Sequence, residues 1–291
     1  MNTVGVIGLG NMGRGMALSL RRRGFPVVGT DAAEQTRRNL AGEGIEVVDS
    51  VARVAKRARV IILSLPTAAI VTQVVSGPEG LLENAGQGTL IIDTSTSHPE
   101  TTRQLARQLN EAGMALIDAP VSGGAKGAIA GELTMLIGGS DADVARAEPV
   151  LSALSAKRVR IGEVGAGHVA KIANNLMVAA HLLAASEVAR LAEGAGVPTD
   201  RLFEGINVCS GRSAVTQVNF PTWILNGAFN SGFTMKLMRK DVRLAAELIA
   251  QTGFALPLLT EAVRLWDSSA ESIADNEDFN CIVELGKLGG T

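Results

Sequence analysis

The chain has 291 residues, of which 46% are hydrophobic and 19% charged, with a formal net charge of −2. This length suits one large or two ordinary domains, and the scattered basic residues provide no nucleic-acid-binding surface. Two distant cysteines form neither a disulfide framework nor a metal set. The apolar runs are too short or too interrupted to span a bilayer, and because the sequence starts with a predicted strand we expect no signal peptide. We therefore expect a cytoplasmic protein that binds no metal, nucleic acid or membrane.

The first predicted strand leads directly into a glycine-rich turn. Its apolar run, Val4–Ile7, is followed by the pattern G-x-G-x-x-G and then by a helical pattern. In this pattern Gly8 permits a tight turn, Gly10 lets the backbone approach a pyrophosphate, and Gly13 allows close helix–strand packing. The helix N-terminus offers free N–H groups to the anion. An ordinary glycine turn is the alternative. The candidate cofactor-binding residues here are Gly8, Leu9, Gly10, Asn11, Met12 and Gly13.

The second predicted strand ends at Asp31, 23 positions after Gly8. A carboxylate at this point accepts hydrogen bonds from the adenosine ribose and repels a 2′-phosphate, which favours NAD over NADP. Aspartate also caps helices well, so a cap for the next helix is the alternative. Arg37 and Arg38 follow about one helical turn later and leave NADP possible.

Over the first half of the chain, strand-like runs alternate with amphipathic segments such as Pro99–Ala112 and Asp141–Leu154. This alternation predicts a largely parallel sheet with helices on both faces. The predicted strands are Thr3–Ile7, Pro26–Thr30, Val60–Ser64, Thr89–Asp93, Ala115–Asp118, Thr134–Ile137 and Arg158–Ile161.

Asp118 to Gly124, with the sequence D-A-P-V-S-G-G, follows one of these strands. Ligands bind at the carboxyl ends of strands in open α/β sheets. Ser122 offers a hydroxyl, while Gly123 and Gly124 can turn backbone N–H groups toward a carboxylate. A plain turn is an equally good interpretation, because proline, serine and glycine are all turn residues.

After residue 165 the pattern changes to helices. His168–Arg190 contains no helix breaker, and Leu176–Ala185 is apolar except at His181, which predicts a helix buried between domains or subunits. Further helices are predicted at Thr199–Val208, Phe233–Thr252 and Leu256–Ser269. The chain is thus predicted to contain a dinucleotide-binding α/β domain (1–164). A long connecting helix and an all-α domain make up 165–291.

Lys171 and Asn175 lie on one face of the long helix, with Asn174 beside them. Because this polar stripe opens an otherwise buried helix, we expect these groups to serve a site. A desolvated lysine can exchange a proton with an alcohol or carbonyl oxygen. A solvated surface lysine is the alternative, and His168 and His181 are rival acid–base groups without a nearby carboxylate in the sequence.

Lys240 lies beside a predicted apolar stripe of Leu237, Leu244 and Leu248. A charge on the packed side of a helix needs a partner. An ion pair, with Asp241 or another carboxylate, and a contact with the cofactor are equally good interpretations of this lysine.

Taken together, these motifs resemble the β-hydroxyacid dehydrogenase family over essentially the whole chain. They are G-L-G-N-M-G, D-A-P-V-S-G-G, G-H-V-A-K-I-A-N-N and Lys240-Asp241. The resemblance implies a Rossmann-type domain joined by a long helix to an all-α domain, in a homodimer or homotetramer. It also implies reversible NAD(P)-dependent oxidation of a small 3-hydroxy acid to the semialdehyde or keto acid.

The resemblance also implies roles for particular residues. Lys171 matches the catalytic lysine and Asn175 the asparagine that supports it. The substrate-binding positions implied or predicted are Ser122, Gly123, Gly124, Thr96, Asn174 and Arg212. Thr96 also lies near the nicotinamide in the family. Leu65 and Pro66 match a loop that flanks the adenosine, and Phe233 and Lys240 match positions that close over the cofactor.

The sequence departs from the family pattern at Arg212, within Ser210–Ser213. This segment resembles that of a family member that handles a dicarboxylate, so Arg212 is predicted to bind a second anionic group through two hydrogen bonds. A surface arginine is the equally good alternative.

Two other functions remain: an imine reductase, whose relatives carry another residue at the position of Lys171, and a catalytically silent nucleotide-binding protein. The particular hydroxy acid and the direction of flux are not encoded in these motifs.

Overall fold

The computed structural model describes residues 2–40 and 42–285. These residues divide after Lys171 into two compact units. The division falls inside a long helix, whereas the boundary predicted from the sequence precedes that helix. The boundary between residues 164 and 165 therefore stays a prediction.

The first unit is built on one sheet with helices between its strands. Its strands are β1 (Val4–Ile7), β2 (Val27–Thr30), β3 (Glu46–Val47), β4 (Val60–Leu63), β5 (Leu90–Asp93), β6 (Ala115–Asp118), β7 (Val121–Ser122), β8 (Leu133–Gly138) and β9 (Ser155–Gly162). Its helices are α1 (Asn11–Arg22), α2 (Glu34–Asn39), α3 (Val51–Arg57), α4 (Ala68–Ser76), α5 (Leu81–Asn84), α6 (Pro99–Glu111), α7 (Gly124–Ala130) and α8 (Asp141–Leu154).

The strand order is β3-β2-β1-β4-β5-β6-β8-β7, and β9 pairs with β8. From β3 to β6 all neighbours are parallel, as are β8 and β9, while β8 runs antiparallel to β6 and β7. The predicted, mainly parallel sheet is therefore confirmed. Because β1 lies between β2 and β4, the chain reverses its direction of winding beside the glycine-rich turn, where such sheets bind ligands.

Two apolar layers hold helices against the sheet. Ile62 and Ile92 pack on one face, in a cluster with residues of α1 and α8. Ile61 and Ile91 pack on the other face, against residues of α3, α4 and α6. Because successive side chains of a strand point to opposite faces, a strand covered on both sides must be apolar throughout.

The seven predicted strands all form, with ends within three residues of the prediction. The strands β3 and β7 were not predicted, because two residues are too few to show a strand pattern.

The second unit consists of helices around its own core. α9 (Ala166–Gly194) runs into it from the first unit, followed by α10 (Thr199–Asn207), a π-helical segment (Val215–Ile224), α11 (Met235–Thr252) and α12 (Pro257–Ser268). Its core is centred on Leu182, Met238 and Trp266. A Rossmann-type domain followed by a helical domain, linked by a long helix, is the predicted fold class.

Two expectations about helices need correction. At 29 residues, α9 is long and apolar enough by composition to cross a bilayer, contrary to our interpretation of the apolar runs. Half of its apolar stretch is buried in the protein, as in the core helix of a globular domain. In α11 the buried face is formed by Met235, Met238 and Val242, whereas Leu237 is exposed, so the predicted stripe was wrong at its first position.

Candidate active site

The glycine-rich turn has the shape that a bound pyrophosphate requires. Gly8 has a φ of +91°, and a Cβ on it would lie 2.3 Å from the carbonyl oxygen of Ser64. A Cβ on Gly13 would lie 1.8 Å from the carbonyl oxygen of Gly8, so α1 packs against the turn itself. A Cβ on Gly10 would meet only open space. No side chain caps the start of α1, and its first turn has no acidic residue, so the N–H groups there suit an anion.

Asp31 fixes the turn from the neighbouring strand. Its carboxylate accepts hydrogen bonds from the backbone N–H groups of Leu9 (2.7 Å) and Ala33 (2.9 Å). Each carboxylate oxygen has a second acceptor site, which leaves room for ribose hydroxyls. The N-cap position of α2 is occupied by Ala33, so Asp31, two residues earlier, is not the N-cap residue of that helix. Arg37 folds back onto the backbone, where it donates to the carbonyl oxygen of Asp31.

The loops after β4 and β5 are joined to each other. The N–H of Leu65 donates to the hydroxyl of Ser95 (3.0 Å), whose own N–H donates to the carboxylate of Asp93 (3.0 Å). Thr96, the next residue, is half-buried, and Pro66 is exposed. The residues predicted to flank the adenosine and the nicotinamide thus belong to two hydrogen-bonded loops at the carboxyl ends of β4 and β5.

The short strand β7 brings a serine to the predicted lysine. Lys171, whose exposed fraction is 9%, donates from Nζ to the hydroxyl of Ser122 at 2.9 Å. Gly123 and Gly124 follow with φ values of +123° and +62°, a conformation that favours glycine. Both glycines are exposed and a Cβ on Gly124 would meet open space, so their backbone is accessible to a ligand.

Asp118, at the end of β6, is fully buried and holds the start of α9. Its carboxylate accepts hydrogen bonds from the N–H groups of Gly165 (2.6 Å) and His168 (2.8 Å). Burial raises the pKa of this carboxyl, against the opposing effects of the His168 ring and of these hydrogen bonds. Asp118 therefore fixes the helix end from which Lys171 projects.

In the second unit, the predicted residues of α9 meet those of α11. Asn175 is buried and donates from Nδ2 to the carboxylate of Asp241 at 2.5 Å. Asn174 donates to Oδ1 of Asn175 (3.0 Å), and Lys240 forms an ion pair with Asp241 at 3.0 Å. The ion pair expected for Lys240 is thus present, and its contact with the cofactor stays a prediction. Sequence reasoning missed that Asp241 accepts from Asn175, because the two lie 66 positions apart.

Arg212 and Phe233 occupy other parts of the second unit. Arg212 is exposed, donates to the carbonyl oxygen of Cys209, and lines a pocket of about 290 Å³ with His181. The α9 residues of this pocket come about three to five turns after Lys171 along the helix. Phe233 packs edge-on against Phe279. The predicted roles of Arg212 with substrate and Phe233 with cofactor stay predictions.

The sequence around His168, a rival acid–base group, shows no nearby carboxylate. In the structure its ring lies between two carboxylates, those of Asp93 and Asp118, each 3.9 Å from a ring nitrogen. These aspartates end adjacent parallel strands and pair in register. That arrangement, visible in the predicted strands β5 and β6, was the available signal.

The turn between β1 and α1 defines the first unit as a dinucleotide-binding domain of nicotinamide-dependent oxidoreductases. A family model described as the NAD binding domain of 6-phosphogluconate dehydrogenase matches residues 3–164. A second, described as NAD-binding of NADP-dependent 3-hydroxyisobutyrate dehydrogenase, matches residues 165–285. The chain belongs to the β-hydroxyacid dehydrogenase family, as its motifs indicated.

Individual relatives agree with this assignment. The 2-(hydroxymethyl)glutarate dehydrogenase of Eubacterium barkeri is 34% identical, over 97% of this chain and 94% of its own length. The solved structure of Mycobacterium tuberculosis 3-hydroxyisobutyrate dehydrogenase with L-serine has a TM-score of 0.93 and 34% identity, and each chain is covered completely. An imine reductase from Myxococcus stipitatus has a TM-score of 0.66 at 16% identity, over 98% of this chain and 99% of its own, which shows a shared fold alone.

Proposed function

We propose that this protein catalyses the reversible oxidation of a small 3-hydroxy carboxylate to its semialdehyde or keto acid, with NAD favoured over NADP. The observation that carries the proposal is the 2.9 Å hydrogen bond from Lys171 Nζ to the hydroxyl of Ser122. A nearly buried lysine amino group and a hydroxyl meet there, beside a segment with an accessible backbone. One small molecule can contact both groups through its own hydroxyl and carboxylate.

The site residues of the first unit have separate roles in the proposed reaction. The hydroxyl of Ser122 and the N–H groups of Gly123 and Gly124 bind the substrate carboxylate. In oxidation Lys171, in its neutral form, accepts the proton of the substrate hydroxyl, and in reduction it returns that proton to the carbonyl oxygen. The bound nicotinamide supplies the hydride chemistry, as acceptor in oxidation and donor in reduction. Its pyrophosphate would be held by the turn that ends at Gly13.

The names of the relatives support this substrate class. 3-Hydroxyisobutyrate, 2-(hydroxymethyl)glutarate and L-serine each carry a hydroxyl on the second carbon from a carboxylate. A site that binds the carboxylate in one loop and the hydroxyl at a lysine a few ångströms away fits all three.

The remaining site residues belong to the same proposal. Asn175, one turn after Lys171 on α9, supports the reacting end of the substrate together with Asn174, and Asp241 fixes the Asn175 amide. A homodimer or homotetramer in the cytoplasm is also part of the proposal. Light scattering of the purified protein and cell fractionation test these two points.

Replacement of Lys171 with alanine tests the function. We expect NADH formation from 3-hydroxy acids to fall roughly 100- to 10,000-fold, as for loss of a general base, with NADH affinity unchanged. Lys157→Ala is the matched control, because Lys157 is exposed on β9. Full activity of Lys171→Ala would overturn the mechanism. A wild-type protein that binds NADH but oxidises no 3-hydroxy acid would instead be a silent nucleotide-binding protein.

A further inference from the structure

The ring of His168 is a fully buried polar group that the proposed reaction does not use. His168 is the third residue of α9 and has no exposed surface. Its Nε2 lies 3.0 Å from the carbonyl oxygen of Ser95, and its Nδ1 lies 2.9 Å from the hydroxyl of Thr102. Since a carbonyl oxygen only accepts, Nε2 carries a hydrogen and donates it to Ser95. Both ring nitrogens are therefore engaged, on two different elements.

The carbonyl that His168 holds belongs to the peptide bond between Ser95 and Thr96. Ser95 is fixed on two further sides, by the carboxylate of Asp93 and by the N–H of Leu65. His168 thus completes a network that joins the loops after β4 and β5 to the first turn of α9. The backbone N–H of His168 donates to the carboxylate of Asp118 at the end of β6.

Lys171 comes three residues after His168, on the next turn of the same helix. Thr96 comes immediately after the carbonyl that His168 binds. His168 thus links the turn of α9 that precedes the proposed proton acceptor to the peptide that precedes Thr96, which is predicted to face nicotinamide and substrate. A displacement of about 1 Å between such groups is enough to slow a reaction about 100-fold.

We infer that His168 is a positioning residue, which holds the Ser95–Thr96 peptide at a fixed distance and orientation relative to Lys171. The inference rests on the proposed function for its link to catalysis. An apolar side chain would fill the same space but would leave the carbonyl of Ser95 and the hydroxyl of Thr102 without this partner. The loop after β5 would then lose its fixed geometry.

Two substitutions at His168 separate its hydrogen bonds from its bulk. In His168→Gln the terminal amide N–H extends to about the position of Nε2 and restores donation to Ser95. In His168→Asn the shorter amide cannot reach that carbonyl. Thr102→Val removes the partner of Nδ1 at nearly constant volume. Thr89→Val is the matched control, because Thr89 is equally buried and its hydroxyl donates to Gly86, outside the network.

We expect His168→Asn to lower kcat for 3-hydroxy acid oxidation roughly 10- to 100-fold, with KM and NADH affinity within about threefold. His168→Gln should recover most of the loss, Thr102→Val should lower kcat about 3- to 10-fold, and Thr89→Val should leave it unchanged. Equal kcat for His168→Asn and wild type, or no recovery with glutamine, would overturn the inference. So would parallel losses of kcat, NADH affinity and stability, since these indicate only a damaged fold.

Amide hydrogen exchange gives a readout that needs no turnover. In His168→Asn, but not in His168→Gln, the amides of residues 94–97 should exchange faster, while those of residues 90–92 in β5 keep their protection. If exchange at residues 94–97 does not change in His168→Asn, the inference fails whatever the enzyme catalyses. If exchange changes as expected but the wild type oxidises no 3-hydroxy acid, the proposed function fails and the positioning of the loop stands.

Discussion

The open space beside Gly10 provides a strict test of cofactor binding. Gly10 has a φ of −63° and a ψ of −170°, which alanine adopts without strain. A Cβ there would touch no atom of the described residues within 4 Å. Gly10→Ala should therefore fold normally. Alanine is a poorer N-cap than glycine by a few tenths of a kcal/mol to about 1 kcal/mol, so the free energy of unfolding should fall by no more than that.

The same methyl group would stand where a pyrophosphate must approach the start of α1. Each hydrogen bond to a charged group contributes about 1.5–3 kcal/mol, so losing one weakens binding roughly 10- to 150-fold. We expect this increase in the NADH dissociation constant of Gly10→Ala, measured by fluorescence titration. Gly205→Ala is the matched control, because a Cβ on that helical glycine also meets open space. Wild-type NADH affinity in a folded Gly10→Ala protein would refute the placement of the pyrophosphate.

Three further predictions concern charge. Asp31→Asn keeps an acceptor for the N–H groups at the turn but removes the repulsion of a 2′-phosphate, so the NAD-to-NADP ratio of kcat/KM should fall at least about tenfold in steady-state assays. Burial raises the pKa of Asp118 above 3.8. The carboxyl therefore adds to the free energy of unfolding below pH 3.8, and this contribution is lost as the pH rises through the raised pKa. Urea unfolding at a series of pH values should show this decline in the wild type and not in Asp118→Asn. Burial raises the pKa of the Cys281 thiol to about 11, whereas Cys209 is exposed, so iodoacetamide at about pH 8 should label Cys209 first, as mass spectrometry of peptides will report.

The sequence predicted those parts of the fold that depend on local pattern. Apolar runs such as Ile61–Leu63 predicted the strands, because a strand covered by helices on both faces is apolar at nearly every position. The stripe on α11 was mispredicted at Leu237, because the helix packs on one side through Met238 and Val242 and on another through Leu244. The π-helical segment was not predicted at all. It contains Pro221, which usually ends a helix.

Within the candidate site, the glycine turn and Lys171 were predictable because each lies in one short motif. The contacts that fix them were not, because they join distant positions. Leu9 meets Asp31, Lys171 meets Ser122, and Asn175 meets Asp241, across 22 to 66 positions of sequence. The first two pairings depend on the order of strands in the sheet and the third on the packing of α9 with α11, neither of which a single sequence specifies.

Chemical rescue tests the central claim most directly. If Lys171 exchanges the proton, small amines added to Lys171→Ala should restore NADH formation, with a rate that rises with the amine concentration and with the fraction of amine in its neutral form. Rescue should be absent in Ser122→Ala, where the lysine itself is intact. A Lys171→Ala protein that keeps wild-type turnover, or that binds substrate and NAD yet responds to no amine, would contradict the account.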